Sequence, residues 1–268
     1  MKSLLLLLGL TLSPINAFAI DASSTDPAAI MHAVENRATG ETTKLRLHIT
    51  ITDKAGRKRN RSLVVKTKEF EGGTKQLILF DTPADLHNAG MLSVDFDDGA
   101  KSDNQFLYLP SLGKTTRLAS ADKSGSFMGT DLTYSDMTKK DPDAYTYTMV
   151  DADTAVNGEA VWHIEATPKT SKERDETGYT KSQIWVSKEK MIPLRLKAWV
   201  TQGDRRKYTT MSDIKMVNGV WTAHKVFIKT TKGKVKESTS TLVTSDLVMN
   251  AKDVTDADFT EQRLERGL

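Results

Sequence analysis

The chain predicts a mainly β fold: a strongly curved antiparallel sheet or incomplete β-barrel, covered by one N-terminal helix and a lid segment. Three observations lead there. Period-two alternation of apolar and polar residues recurs from residue 44 almost to the C-terminus. The alternating runs are joined by short turns rich in Gly, Asn and Asp, which makes neighbours antiparallel. The runs number roughly ten to twelve, and an open sheet of that size must curl, close or split.

Residues 1–19 read as a cleaved signal peptide. Lys2 supplies the basic start, Leu4 to Leu12 the apolar stretch, and Ala17-Phe18-Ala19 the small-x-small cleavage pattern. The apolar run is too short to span a bilayer. Export to the periplasm with cleavage after Ala19 is expected, leaving residues 20–268 as one domain without linker or internal repeat. The chain contains no cysteine. No disulfide, thiolate metal site or lipid-bearing cysteine is therefore possible, and about 250 residues suffice to bury a core without staples. The net charge of +3 over 268 residues gives no case for nucleic acid as a partner.

Asp26-Pro27 is a helix start, an N-cap acceptor followed by proline, and Ile30, Met31 and Val34 share a face. A helix over 27–38 closed by Gly40 follows. Leu45, Leu47, Ile49 and Ile51 alternate with polar residues as the first strand. Strands are then expected at 60–67, 74–80, 91–96, 104–109, 114–118, 145–150 and 159–167. Five more fall at 181–187, 191–201, 206–216, 220–231 and 234–249. Residues 84–89 read as one helical turn, 168–179 as a polar connection, and Glu261 to Arg266 as a short helix.

The stretch 120–137 fits neither class. It mixes glycines with Phe127, Met128, Leu132, Tyr134 and Met137, too apolar for a solvated loop and too glycine-rich for a helix. It reads as a lid over an apolar surface, with Phe127, Met128, Leu132 and Tyr134 facing inward. The rows expected to line a cavity are Leu45, Leu47, Ile49, Phe106, Tyr108, Leu194 and Leu196. Trp162, Trp185, Trp199 and Trp221 all fall in strands, as sheet packing or as cavity wall.

No catalytic residue can be named. The five histidines lie far apart and none has a partner at metal-ligand spacing. G-x-S-x-G, H-E-x-x-H and phosphate-cradling loops are missing. Asp95 to Gly99 and Asp151-Ala152-Asp153 lack calcium-loop spacing and read as turns. A hydrolase has no nucleophile–base pair to work with, and no metal or cofactor is expected. Arg57, Lys58 and Arg59 cluster at one hairpin with Lys54 and Arg61, and Arg205, Arg206 and Lys207 at another. They read as solvated tips or as a docking face.

Gln105-Phe106-Leu107-Tyr108-Leu109-Pro110, Arg117, and Gly125-Ser126-Phe127-Met128-Gly129-Thr130-Asp131 with Tyr134 and Asp136 resemble the outer-membrane lipoprotein-sorting protein family. Its members are similar in fold to the lipoprotein carrier LolA and the receptor LolB. Trp185-Val186, Pro193-Leu194, Phe259-Thr260 and Leu264-Glu265-Arg266 extend the likeness from about residue 30 to the end. The resemblance implies a half-barrel whose concave face holds acyl chains of a lipid or lipoprotein under a lid. It implies a monomeric periplasmic carrier, with an inner-membrane transporter as donor and an outer-membrane acceptor. The alternative is a non-catalytic accessory module docked on an inner-membrane lipid exporter of the resistance–nodulation type.

Overall fold

A computed structural model describes residues 20–37, 39–99 and 101–268; the expected signal peptide lies outside the described residues. Thirteen strands form one antiparallel sheet: β1 (Thr42–Thr52), β2 (Lys58–Phe70), β3 (Gly73–Thr82), β4 (Gly90–Phe96), β5 (Asn104–Leu109), β6 (Lys114–Arg117), β7 (Tyr145–Val156), β8 (Glu159–Pro168), β9 (Tyr179–Ser187), β10 (Pro193–Val200), β11 (Arg205–Val217), β12 (Val220–Lys232) and β13 (Val235–Met249). Their order is β6-β5-β4-β3-β2-β1-β13-β12-β11-β10-β9-β8-β7. Every neighbour except the β1–β13 pair is also a neighbour in sequence. The outermost strands, β6 and β7, do not pair, so the curved sheet stays unclosed.

Among the described residues three α-helices accompany it. Helix α1 (Pro27–Glu35) starts where Asp26 accepts from the Ala28 and Ala29 N–H groups at 3.0 and 3.1 Å, and it ends at Asn36, short of the expected Gly40. Helix α2 (Ser171–Thr177) replaces the expected polar connection. Thr170 caps it by accepting from the Glu173 N–H, and Gly178 closes it at φ 76°. Helix α3 (Glu261–Arg266) stands where the sequence places it, capped by Thr260. Residues 84–89 form successive turns rather than a helical one.

Alternation sends each strand's apolar residues to two faces. The inner face is covered twice. Leu47, Ile49, Ile51, Leu63, Val65, Ile78, Phe80, Met91, Ile228 and Leu242 pack beneath the 118–144 segment. Trp162, Ile164, Ala166, Ile184 and Val186 pack beneath Ile30, Met31 and Val34 of α1. Trp162 is fully buried, and its indole N–H donates to the Ser24 carbonyl at 2.9 Å. On the outer face, α3 and the chain before it bring Leu264, Phe259, Val254 and Ala251 onto Leu77, Leu79 and Leu92. A fourth cluster on that face joins Val156, Val161, Ile192 and Leu194 to Trp185, Ile214 and Trp221.

Candidate functional site: a cavity between two covers

The 118–144 segment folds back on itself. The Phe127 N–H donates to the Leu132 carbonyl at 2.8 Å and the Tyr134 N–H to the Gly125 carbonyl at 3.1 Å. The tip turns at Met128 and Gly129, with φ 48° and 75°, a region that glycine enters without Cβ strain. This turn drives Phe127 inward. Its ring is fully buried, 5.8 Å from the Phe80 ring and edge-on to Tyr134 at 5.6 Å. The segment fills the sheet's inner face as a plug.

Polar ties hold the plug down. Asp131 is 5% exposed, and its carboxylate accepts from the hydroxyls of Thr230 (2.5 Å), Ser240 (2.6 Å) and Ser238. Its own N–H donates to Ser240 Oγ at 3.0 Å. Asp136 accepts from the Tyr179 hydroxyl at 2.7 Å and from the Thr133 N–H at 2.9 Å. Gln105 Nε2 donates to the Tyr134 carbonyl, and Arg61 Nη2 to the Met128 carbonyl at 2.8 Å. Lys123 pairs with Glu176 of α2 at 2.9 Å, both side chains mostly buried.

Between plug and α1 a cavity of about 290 Å³ remains open over β7 to β12. Its apolar wall comes from Met31, Leu132, Ile184, Leu196, Ala198, Met211 and Ile228, with Tyr145 and Tyr147. Its polar groups are Glu35, Asp131, Asp136, Tyr179 and Lys207 with Lys139, Lys140 and Lys181. Burial shifts three of them, Glu35, Tyr179 and Lys207. It raises the Glu35 carboxyl, lowers the Lys207 ammonium and pushes the Tyr179 hydroxyl well up, the last with help from neighbouring Asp136. Lys207 Nζ lies 2.9 Å from the Tyr179 oxygen and 3.7 Å from Asp136. A buried cation so placed is compensated by its neighbours, as buried charges must be. Among the described residues no three His, Asp or Glu groups stand where they could hold a metal ion.

The residues expected at the site fall into three places. Leu45, Leu47 and Ile49 lie on the inner face under the plug, with Phe127, Met128, Leu132 and Tyr134 above them. Leu132 and Leu196 line the open cavity. Phe106, Tyr108 and Leu194 face the other way: Phe106 and Tyr108 pack against the α3 cluster and Leu194 against Ile192 and Val161. The reason for Leu194 is a register shift between Pro193 and Arg195, so an extra residue separates it from the face that Leu196 shares with Ala198. For Phe106 and Tyr108 the reason is parity. Gln105, between the strand's start and Phe106, takes the inner position and holds the plug. Arg57 pairs with Asp53 at 2.7 Å, while Lys58 and Arg59 are exposed. Met31, Tyr147, Tyr179 and Lys207 line the cavity in addition to the expected rows. Met31 reaches the cavity because α1 packs over β8 and β9, and Lys207, expected at a hairpin tip, because strand parity on β11 turns it inward beside Ala198.

A family model described only as that of an uncharacterized protein matches residues 72–266. No curated protein matches the chain significantly. Among solved structures the chain is similar to a candidate outer membrane lipoprotein-sorting protein domain from Vibrio parahaemolyticus. That likeness has a TM-score of 0.79 at 28% identity and covers 90% of this chain and 98% of the other. It is similar to a DUF1329 family protein from Desulfovibrio piger, with a TM-score of 0.80 at 25% identity over 90% of this chain and all (100%) of the other. It shares its fold with a LolA superfamily protein from Nitrosomonas europaea, with a TM-score of 0.66 at 15% identity over 88% and 98% of the two chains. With the curved, unclosed sheet, the plugged inner face and these likenesses together, the chain belongs to the LolA-like outer-membrane lipoprotein-sorting family.

Proposed function

We propose that the protein is a periplasmic carrier that shields the acyl part of a lipid or lipoprotein and moves it toward the outer membrane. The observation that carries this reading is the apolar cavity left between α1 and the plug. An interior meant only for stability would be filled by its own side chains, because voids forfeit packing energy. Each methylene buried there contributes about 0.8 kcal/mol, so affinity needs no catalytic group. A volume near 290 Å³ lies at the lower edge of small-ligand sites and takes one chain or part of one. A cargo with two or three chains requires the plug to lift, which exposes Leu47, Ile49, Leu63 and Ile78 as further apolar wall.

The test is lipid content. Protein purified from the periplasm without detergent is expected to carry acyl lipid by native mass spectrometry, and Leu196→Asp, which puts a charge into the cavity wall, is expected to lose it. A lipid-free wild type that also fails to bind a fluorescent fatty acid would refute the carrier reading. A complex with an inner-membrane exporter that survives Leu196→Asp would favour the accessory-module alternative.

A further inference from the structure

The antiparallel order places three hairpin tips side by side at one end of the sheet. They are residues 53–57 between β1 and β2, 233–234 between β12 and β13, and 201–204 between β10 and β11. The ladder fixes the adjacency: Thr52 pairs with Thr239, Val235 with Lys232, and Lys232 with Arg205. The three acids on this rim are already bound. Asp53 holds Arg57, Asp204 holds Arg206, and Glu237 holds Arg205 through two hydrogen bonds of 2.6 and 3.2 Å. Lys54, Lys58, Arg59, Lys232, Lys234 and Lys236 are all exposed, and none carries an ion pair among the described residues. Between Lys234 and Lys236 stands Val235, 54% exposed where β13 leaves the tip of the central hairpin.

We propose that this rim docks the protein on an anionic lipid bilayer. Five of the six free cations are lysines, mobile point charges rather than planar forks pre-set for one carboxylate. Their arrangement answers a diffuse negative surface, which reads the number of charges near it, and not a shaped protein partner. The projecting valine adds a small apolar contact at the depth of the headgroups. The rim also touches the plug. A Cβ at Gly129 would stand 3.8 Å from both Arg59 Nη1 and Arg61 Nη2, and Arg61 holds the Met128 carbonyl. A bilayer drawing on these guanidiniums therefore acts beside the tip of the cover. This inference goes beyond the carrier reading and does not depend on which cargo fills the cavity.

Flotation with vesicles tests it. The mature protein is expected to float with phosphatidylglycerol vesicles and not with phosphatidylcholine vesicles, and to be released as salt shortens the Debye length. Lys232→Gln, Lys234→Gln and Lys236→Gln should weaken binding about fivefold per charge removed. Val235→Asp should weaken it further, with far-UV circular dichroism and fatty-acid binding unchanged in every variant. Equal binding to both vesicle types, salt-insensitive binding, or loss of fatty-acid uptake in place of vesicle binding would overturn the assignment. Binding only to vesicles carrying a membrane protein would overturn it too and assign the rim to a protein partner.

Discussion

Asp95 is the residue whose surroundings conflict most with its charge. It sits on β4 on the inner face of the sheet, 5% exposed, with a long 3.4 Å contact from the Ser93 hydroxyl and no partner for Oδ1. Burial, with Asp103 nearby, pushes its carboxyl up to about 7. The unfolded chain releases that proton near the ordinary value of 3.8, whereas the folded chain keeps it to about 7. Between those values the folded state binds more protons, so this residue's contribution falls as pH rises through the window and is level above it. Asp95→Asn cannot ionise. It is expected to be more stable than the parent at pH 8, by about 2–4 kcal/mol, and to match it at pH 3.5. Urea unfolding at the two pH values measures this, and an equal difference at both would show that ionisation is not the cause. Asp131 has the opposite character. Three hydroxyls donate to its carboxylate and its own N–H donates to Ser240 Oγ, so the residue works as a clamp.

At the scale of elements, that clamp joins the plug to β12 through Thr230 and to β13 through Ser238 and Ser240. Asp131→Ala leaves the hydroxyls of Ser238, Ser240 and Thr230 without their acceptor and is expected to cost about 2–4 kcal/mol. It is also expected to make the 118–144 segment the first site of proteolytic cleavage, since a freed segment opens locally before the sheet does. Limited proteolysis with mass mapping checks this; first cuts in the hairpin tips would refute it. The element map was largely legible in the sequence. Period-two alternation with Asn-Gly and Lys-Gly turns located the strands, and Asp26-Pro27 located α1. Helix α2 was equally visible as Thr170-x-x-Glu173 followed by Gly178, a capping signature that its polar composition obscured. The cavity wall was legible only within strands. Parity says which residues share a face, and a single bulge at 193–195 undoes it between Leu194 and Leu196. Nothing in alternation says which face is inner, so Phe106 and Tyr108 could not be told from Gln105. Lining contributed by α1 depends on how distant elements meet, which no local period encodes, and Lys207 is a charged residue at an inward position of β11, where alternation expects an apolar one.

The whole molecule separates stability from capacity. Two apolar clusters on the outer face hold α3 and the β7–β10 corner without touching the cavity. Leu264, fully buried on the sheet-facing side of α3, is therefore a position where packing changes alone: Leu264→Ala is expected to lower stability by about 2–5 kcal/mol. Fatty-acid affinity should be unchanged well below the melting transition, and a parallel loss of affinity would show that the two faces are coupled. Among the described residues no helix is long and apolar enough to cross a membrane.

Because β6 and β7 do not pair, no ring of hydrogen bonds fixes the girth of this sheet. A closed barrel must break ladder bonds to grow wider, whereas here the two margins can draw apart while every rung stays made. On the carrier reading, widening of the trough by bending would add to the lifting of the plug in making room for a bulkier load, with no rung broken.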